Sequence, residues 1–322
     1  MMKPEDINFH SGFSDHFQAC ETNFFPFAIP EECISGNFYC VTRPNLGICM
    51  SDMTIQNCIA PSVHQQLYVD NQQHMPMPKS FADYRLPSGL SVKAVDPFKR
   101  YELRYEGYAD TLLELEWTSL MDPYDCNDPE MDPLAAPRIG ESWDKSWSSG
   151  HCEFTGHVRG TARIRGKNYD VDYIATADRS WGERRERNLG NLLWTHGGFS
   201  KNLAFHAMSE MDVANEKGYG KPLSGYILED GEVIPLVDIK GRHSTYGVLI
   251  VGAELQLTDI NGRVFKVTGH ALNAAPWAPS PGGMYSQSLM LWNHKGEIGY
   301  GYLQHGFGNG YIADNKNKIY CR

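Results

Sequence analysis

Residues 255–267 read LQLTDINGRVFKV, two short runs with alternating apolar residues on either side of Asn261-Gly262. An Asn-Gly dipeptide in this setting favours a tight β-hairpin, because both residues tolerate the positive φ angles that such a turn requires. The same pattern surrounds Asp230-Gly231, with Tyr226 to Leu228 before it and Val233 to Leu236 after it. We therefore predict two hairpins in the last third of the chain.

Strand signals continue along the rest of the sequence. Two further hairpins are predicted, 38–41 with 48–55 around Pro44 to Gly47, and 162–165 with 169–174 around Gly166 to Asn168. The glycine-rich run from Gly299 to His305 is predicted to be a strand that another backbone approaches closely. Amphipathic helical windows are scarce, and many strands without alternating helices are typical of a barrel or sandwich. The predicted fold class is all-β.

Proline-rich segments suggest where the chain is divided. Met121 to Gly150 is rich in Asp, Pro and Ser, so we predict an N-terminal β domain of residues 1–135 and a C-terminal β domain of residues 136–322. Asn273 to Gly283 holds three prolines around Trp277 and is predicted to be a loop that covers a cavity mouth.

Composition excludes several function classes. The 322 residues carry a formal net charge of -10, which opposes binding to nucleic acid and to anionic membrane surfaces. The longest aliphatic run, Val248 to Val251, is too short to cross a bilayer and suits a buried strand. The N-terminal residues show no secretory pattern, so a cytoplasmic location is expected. None of the eight cysteines forms a Cys-x-x-Cys pair, and we expect mostly free thiols.

Three residues are candidates for acid–base chemistry. His151 and Glu153 are two positions apart, so on a strand they project from the same face and could share one proton or one metal ion. Asp178 is the candidate proton donor, since apolar neighbours would raise the pKa of its carboxyl group. Two alternatives remain open: Asp178 caps a turn at a strand end, or a metal ion is held by His151, Glu153, Asp178 and His196. We interpret His157, His206, His270 and His305 as structural histidines.

The motifs themselves resemble those of a known family. His151-Cys152-Glu153, followed by Gly156 and Gly160 and then by 177-ADRSWGER-184, is similar to the central motifs of the AttH-like and carotenoid hydratase (hydroxyneurosporene synthase) superfamily. The resemblance implies two lipocalin-like β-barrel or sandwich halves packed together, with an apolar tunnel between or within them. It also implies addition of water to an isoprenoid double bond without a cofactor, with Asp178 as proton donor and His151 as a functional histidine. Thr176 and Glu153 replace aromatic residues of the carotenoid enzymes, which argues against a carotenoid substrate.

These observations lead to one hypothesis and one alternative. The hypothesis is a cofactor-independent hydratase, dehydratase or isomerase that acts on a terpenoid, steroid, aryl-alkenol or similar hydrophobic compound. Its expected enzyme class is that of the carbon–oxygen lyases. Its substrate-binding residues would be Trp181, Trp194, Tyr173, His196 and Arg179, with the aromatic faces stabilising a cation. The alternative is a non-catalytic lipocalin-like carrier of a hydrophobic small molecule, in which Asp178 is structural. The direction of reaction and the oligomeric state, a homodimer included, are left open.

Overall fold

A computed structural model describes residues 2–10, 12–138, 149–184, 191–215, 218–280 and 282–320. Strands make up 66% and helices 9% of the structure, which confirms the all-β class. The strands form two bodies, an open eleven-stranded sheet shaped like a half-barrel and a closed eight-stranded barrel. None of the described helices has the length and apolar character needed to cross a bilayer.

The open sheet contains the first eleven strands, which all pair antiparallel. They are β1 (Ala19–Ile29), β2 (Ile34–Arg43), β3 (Ile48–Gln56), β4 (Tyr68–Pro76), β5 (Asp83–Arg85), β6 (Leu90–Asp96), β7 (Arg100–Gly107), β8 (Thr111–Ser119), β9 (Tyr124–Asp125), β10 (Gly150–Ile164) and β11 (Lys167–Glu183). The order across the sheet is β4-β3-β2-β1-β11-β10-β8-β7-β6-β5, and β9 pairs with β10. The first strand of the chain therefore lies beside the last strand of its sheet.

The barrel contains the remaining strands and closes through the pairing of β12 with β19. Its strands are β12 (Leu192–Ser200), β13 (Leu203–Met211), β14 (Tyr219–Glu229), β15 (Glu232–Tyr246), β16 (Leu249–Asp259), β17 (Val264–Ser280), β18 (Gly283–His294) and β19 (Glu297–Gly308), followed by helix α1 (Asn309–Tyr320). Short 3-10 helices occupy Pro4–Ile7, Pro30–Glu32, Pro44–Leu46, Val63–Gln65 and Ala136–Arg138.

The change from one sheet to the other occurs between Glu183 and Leu192. The sequence places the domain boundary earlier, between residues 135 and 136, because prolines interrupt regular structure there. Strands β10 and β11 follow that segment but pair back with β8 and β1, a long-range choice that local composition does not encode. Independent domains at 1–135 and 136–322 stay a prediction.

The predicted hairpins are present, and the turns explain their registers. Asp230 and Gly231 both have positive φ, 51° and 86°, as a two-residue turn between β14 and β15 requires. Arg165 and Gly166 also have positive φ and form the turn between β10 and β11, so the turn predicted at Gly166 to Asn168 begins one residue too late. The Asn261-Gly262 connection is longer, because the Asp259 carboxylate accepts hydrogen bonds from the backbone amides of residues 261 and 263.

The second proline-rich segment is not the predicted loop. Residues 273–280 belong to β17 and pair with β18, with register shifts on either side of Trp277. Beyond His270 the regular ladder of this strand continues only with β18, and on the other side an isolated parallel bridge joins Ala274 to Ile59. A proline without an N–H can be accommodated at position 276, outside that bridge. The predicted link between Trp277 and a cavity nevertheless agrees with the structure, because Trp277 lines the cavity described below.

Side-chain alternation places the barrel core inside and a second apolar surface outside. Leu193 and Phe205 fill the barrel interior together with Trp292, whereas Trp194 and Tyr226 point outward into the core shared with the open sheet. Polar contacts cross this shared layer, among them Trp277 Nε1 to Asp52 Oδ1 at 2.8 Å, Gln287 Nε2 to Asn37 Oδ1 at 3.1 Å, and Thr155 Oγ1 with Tyr226 Oη at 2.8 Å. The cavity described below lies in this layer, between the two bodies.

The described cysteines agree with the expected free thiols. No disulfide joins any of the seven whose positions are described, which are Cys20, Cys33, Cys40, Cys49, Cys58, Cys126 and Cys152. Cys321 lies outside the described residues.

Candidate active site

The predicted catalytic residues lie on two neighbouring strands and share one face. In the antiparallel register of β10 and β11, Glu153 is directly opposite Asp178, and His151 is directly opposite Ser180. Directly paired side chains project from the same face of a sheet. Here that face is turned toward the barrel, since Trp194 of the barrel donates a hydrogen bond to Glu153. The two-residue spacing thus places His151 and Glu153 on the same face of the strand, as the sequence predicts.

His151 and Glu153 form a buried pair. The distance from His151 Nε2 to Glu153 Oε1 is 2.9 Å, and the two side chains are 3% and 0% exposed. Trp194 Nε1 donates to the same Oε1 at 2.8 Å, and His206 Nε2 lies 3.8 Å from Oε2. Burial raises the pKa of Glu153 well above its usual value, although the Trp194 hydrogen bond opposes this effect. Uptake of a proton raises the net charge of this buried pair by one unit, and either the imidazole or the carboxylate can hold that proton.

His206 is a site neighbour that the sequence interpretation assigned to structure. Its side chain is fully buried, and burial lowers its pKa well below the usual value, with His196 and His151 adding to the effect. The imidazole of His206 is therefore neutral beside Glu153. No sequence spacing links residues 153 and 206, so only the packing of barrel against sheet brings them together.

Asp178 faces a cavity of about 40 Å³ between the sheet and the barrel. The apolar wall consists of Phe24, Leu192, Trp194 and Trp277, and the polar lining includes His151, Ser180, Arg184 and Gln304. Within the described part of the chain, Asp178 Oδ1 is buried and has no hydrogen-bond partner. Burial, reinforced by Glu153, raises the pKa of Asp178 to about 7, while His151 and the two nearby arginines oppose the rise. An appreciable fraction of Asp178 is thus protonated near neutral pH.

Arg179 and Trp181 lie on the opposite face of β11, because neighbouring residues of a strand alternate. Arg179 forms a buried ion pair with Glu21 and donates from Nη2 to the carbonyl of Asn8 at 2.8 Å. Trp181 stacks on His10 with ring centroids 3.7 Å apart. Neither residue lines the cavity with Asp178, whereas Trp181 lines a separate pocket on the other face, so their substrate-binding role stays a prediction.

Tyr173 and His196 also lie outside the cavity lining, whereas Trp194 is part of it. His196 Nε2 accepts a hydrogen bond from the backbone amide of Tyr302 at 3.2 Å. Burial lowers the pKa of His196 to about 3, so this ring is neutral. The ring centroid of Tyr173 is 6.1 Å from that of His196. The substrate-binding role of both residues stays a prediction.

Among the described residues, one group of side chains could hold a metal ion. Cys126, His151 and Glu153 are buried, and their ligand atoms all lie within 4.8 Å of one another. Sulfur, nitrogen and oxygen ligands of this kind suit Zn²⁺. The set differs from the one considered in the sequence, because the Nε2 atom of His196 is already hydrogen bonded to a backbone amide.

Several cavity residues carry no signal that sequence reasoning could use. Tyr39 comes from β2, Tyr285 from β18 and Gln304 from β19, and each is one residue within an ordinary strand. Arg184 is different, since it ends the motif at 177–184 and could have been included on that ground. The remaining residues become neighbours only through the pairing of β1 with β11 and the packing of the barrel on the open sheet.

Several solved structures have a fold similar to that of this chain. Kievitone hydratase from Nectria haematococca is 10% identical, with a TM-score of 0.55 over 91% of this chain and 89% of that chain. An AttH candidate protein from Nitrosomonas europaea is 13% identical, with a TM-score of 0.59 over 95% and 96%. CghA is 10% identical, with a TM-score of 0.52 over 89% and 87%. At such identities the similarity establishes the fold, and it confirms the AttH-like resemblance at that level.

Sequence comparisons give the family. No curated protein sequence matches the chain. A family model described as a domain of unknown function, DUF7064, matches residues 3–307 and so includes both sheets and the whole candidate site. The chain therefore belongs to the DUF7064 family.

Proposed function

We propose that this protein is a cofactor-independent hydratase or dehydratase that acts on a hydrophobic alkene or alcohol by acid–base chemistry. The observation that carries the proposal is the Asp178 carboxyl group, whose Oδ1 has no hydrogen-bond partner among the described residues. This group faces an aromatic cavity and lies across from the buried His151–Glu153 pair. The presence of a hydratase among proteins of the same fold supports the reaction class. The substrate and the direction of reaction belong to the proposal as well.

In the hydration direction, Asp178 supplies the first proton. Its O–H bond breaks, a C–H bond forms at one alkene carbon, and the other carbon becomes cationic while Asp178 becomes a carboxylate. The rings of Phe24, Trp194 and Trp277 line the space in which this cation would form. An aromatic face in contact with a cation contributes about 0.5–2 kcal/mol, depending on desolvation.

Water completes the reaction at the cationic carbon. As the C–O bond forms, a proton leaves the water and is accepted by the His151–Glu153 pair. Asp178 has then lost one proton and the pair has gained one. Because Glu153 and Asp178 are cross-strand neighbours, transfer of that proton restores the starting state. The same steps in reverse dehydrate a tertiary or allylic alcohol.

Cavity size favours the smaller substrates considered. A volume of about 40 Å³ is well below the roughly 300–1,000 Å³ typical of sites for drug-sized ligands. Terpenoids and steroids would require extensive movement of the lining side chains, whereas an aryl-alkenol requires the least. We therefore place compounds with one aromatic ring and a short alkenyl or hydroxyalkyl chain first in a substrate panel.

Substitution of Asp178 tests the proposal. Asp178→Asn keeps the size of the side chain but cannot donate a carboxylic proton, so turnover of a panel substrate should fall by roughly 10²–10⁴-fold while its binding is retained. Asp170→Asn, at an exposed position on the same strand, is the matched control and should keep wild-type turnover.

Two results would contradict the proposal. One is an Asp178→Asn variant with turnover close to that of the wild-type protein. The other is a wild-type protein that binds panel compounds without converting any of them, which is the behaviour of a carrier.

A further inference from the structure

The cavity contains a guanidinium group that forms no close ion pair with a carboxylate among the described residues, although Asp178 interacts with it when ionised. Arg184 is partly buried and lines the cavity beside Asp178. Its Nη1 donates to Tyr39 Oη at 2.8 Å, and its Nη2 makes a long contact with Ser180 Oγ at 3.4 Å. Both partners are neutral hydroxyl groups. By contrast, Arg179 of β11, the strand that ends just before Arg184, is paired with the Glu21 carboxylate.

A second donor in the same cavity also has no partner. Gln304 is 5% exposed, and its Nε2 atom is buried without a hydrogen-bond partner among the residues that the structure describes. A buried donor left unpaired is unfavourable, so native structures rarely retain one without a reason. Together, Arg184 and Gln304 present a charged donor and a neutral donor to the same space.

We propose that this cavity binds a ligand with an oxyanion, either a carboxylate or a phenolate, held by the Arg184 guanidinium and the Gln304 amide. The apolar body of the ligand would lie against Phe24, Trp194 and Trp277. Guanidinium groups suit this task because their N–H donors match the geometry of an oxyanion. That the ligand is also the substrate rests on the proposed function, whereas the anion site itself does not.

The other ionisable groups of the cavity are compatible with an anion. His151 and the phenols of Tyr39 and Tyr285 carry no negative charge at neutral pH, and Asp178 is neutral while protonated. A bound oxyanion would further raise the pKa of Asp178, because it disfavours a second negative charge nearby. An anionic substrate would thus help to keep the proposed proton donor in its acid form.

Matched probes test the anion site by calorimetry. In the carboxylate arm, trans-cinnamate is compared with cinnamyl alcohol, and in the phenolate arm, ionised 4-nitrophenol is compared with 4-nitrotoluene. Titrations into Asp178→Asn protein keep residue 178 neutral at all pH values and prevent turnover by the proposed route. In at least one arm the anion should bind about tenfold or more tightly than its neutral match, a difference of about 1.4 kcal/mol. The arm that shows it identifies the kind of oxyanion.

Variants of Arg184 test whether this residue causes the preference for the anion. Adding Arg184→Gln should abolish the preference for the anion, whereas Arg184→Lys, which keeps the charge, should preserve part of it. Arg242→Gln, at an exposed residue paired with Glu254, is the control and should change neither affinity. Equal affinity for anion and neutral match in both arms, no binding of any probe, or a preference that survives Arg184→Gln would each overturn the proposal.

The two proposals fail in different ways. Anion preference without any turnover of an alkene or alcohol would refute the hydratase and leave the anion site intact. Turnover of neutral aryl-alkenols by wild-type protein, together with no anion preference, would refute the anion site and leave the hydratase proposal intact.

Discussion

Asp178 and Arg179 are adjacent on β11, yet they lie in opposite electrostatic situations. Arg179 is buried on one face of the strand, where Glu21 and the carbonyl of Asn8 satisfy its charge. Asp178 faces the other side, where a cavity lies in front of it and one of its oxygens is buried without a partner in the part of the chain that the structure describes. A buried charge is therefore not by itself a sign of a functional site. The informative feature is a polar group whose hydrogen-bonding capacity the protein leaves unused.

This difference predicts distinct costs for the two residues. The Arg179 side attaches the N-terminal segment to the sheet, since Asn8 and His10 both contact this cluster. It should therefore contribute to stability. The Asp178 side should contribute to turnover and should reduce stability when ionised.

The largest expected effect is loss of stability on breaking the ion pair. Arg179→Met leaves Glu21 buried without its arginine partner, and removal of one member of a buried pair destabilises a protein by about 3–5 kcal/mol. Urea unfolding measures this change. Arg242→Met, which breaks the exposed pair with Glu254, is the control and should cost less than about 1 kcal/mol. A loss of similar size in both variants would remove the distinction between the two faces.

The next effect is a loss of turnover without unfolding. Glu153→Gln keeps an oxygen that can accept the Trp194 hydrogen bond but cannot take up a proton, so turnover should fall by roughly 100-fold. Initial rates with a panel substrate measure the loss. Glu102→Gln, at an exposed residue of the same sheet, should leave the rate unchanged.

A chelator separates acid–base chemistry from metal chemistry at this pair. If His151 and Glu153 act without an ion, dialysis against a chelator should leave turnover unaffected. Turnover that is lost on dialysis and restored by Zn²⁺ would instead indicate that Cys126, His151 and Glu153 hold a metal ion.

A smaller effect concerns the dependence of stability on pH. Because the pKa of Asp178 rises from 3.8 to about 7 on folding, the folded state binds this proton more tightly than the unfolded state. This stabilising contribution is complete below the unfolded pKa, declines as pH rises toward 7, and is absent above it. Between about pH 6 and pH 7 the wild-type protein should lose about 1 kcal/mol relative to Asp178→Asn. Parallel free-energy curves for the two proteins would contradict the assigned pKa.

Sequence patterns predicted the fold better than its division into two sheets. The turn residues at 230–231 and 165–166 adopt positive φ angles for local reasons, so the hairpins around them could be identified from the sequence. The pairing of β1 with β11 joins residues that are distant in the sequence, such as Phe24 and Asp178, and no local pattern specifies this pairing. The proline-rich segments predicted a domain boundary earlier than the change from one sheet to the other, and a loop where the structure has a strand. Prolines can interrupt local structure, but they do not determine which sheet a strand joins.

The candidate site divides in the same way. The spacing of His151 and Glu153, and their resemblance to a family motif, were enough to predict a pair on one face of a strand. Strand alternation also predicts that Arg179 and Trp181 face away from Asp178, although the motif groups all three. Barrel residues such as His206 and Gln304 could not be predicted, because they reach the site through tertiary packing alone.

The central claim is that Asp178 is a carboxylic acid with a raised pKa in front of an aromatic cavity. Carbon-13 NMR of protein with labelled aspartate side chains measures this directly, with Asp178→Asn to assign the signal. We predict a carboxyl resonance that titrates at about pH 7 and is missing from the variant. A resonance that titrates near the ordinary value of 3.8 would contradict the account, because Asp178 would then be ionised at neutral pH and could not serve as the proton donor.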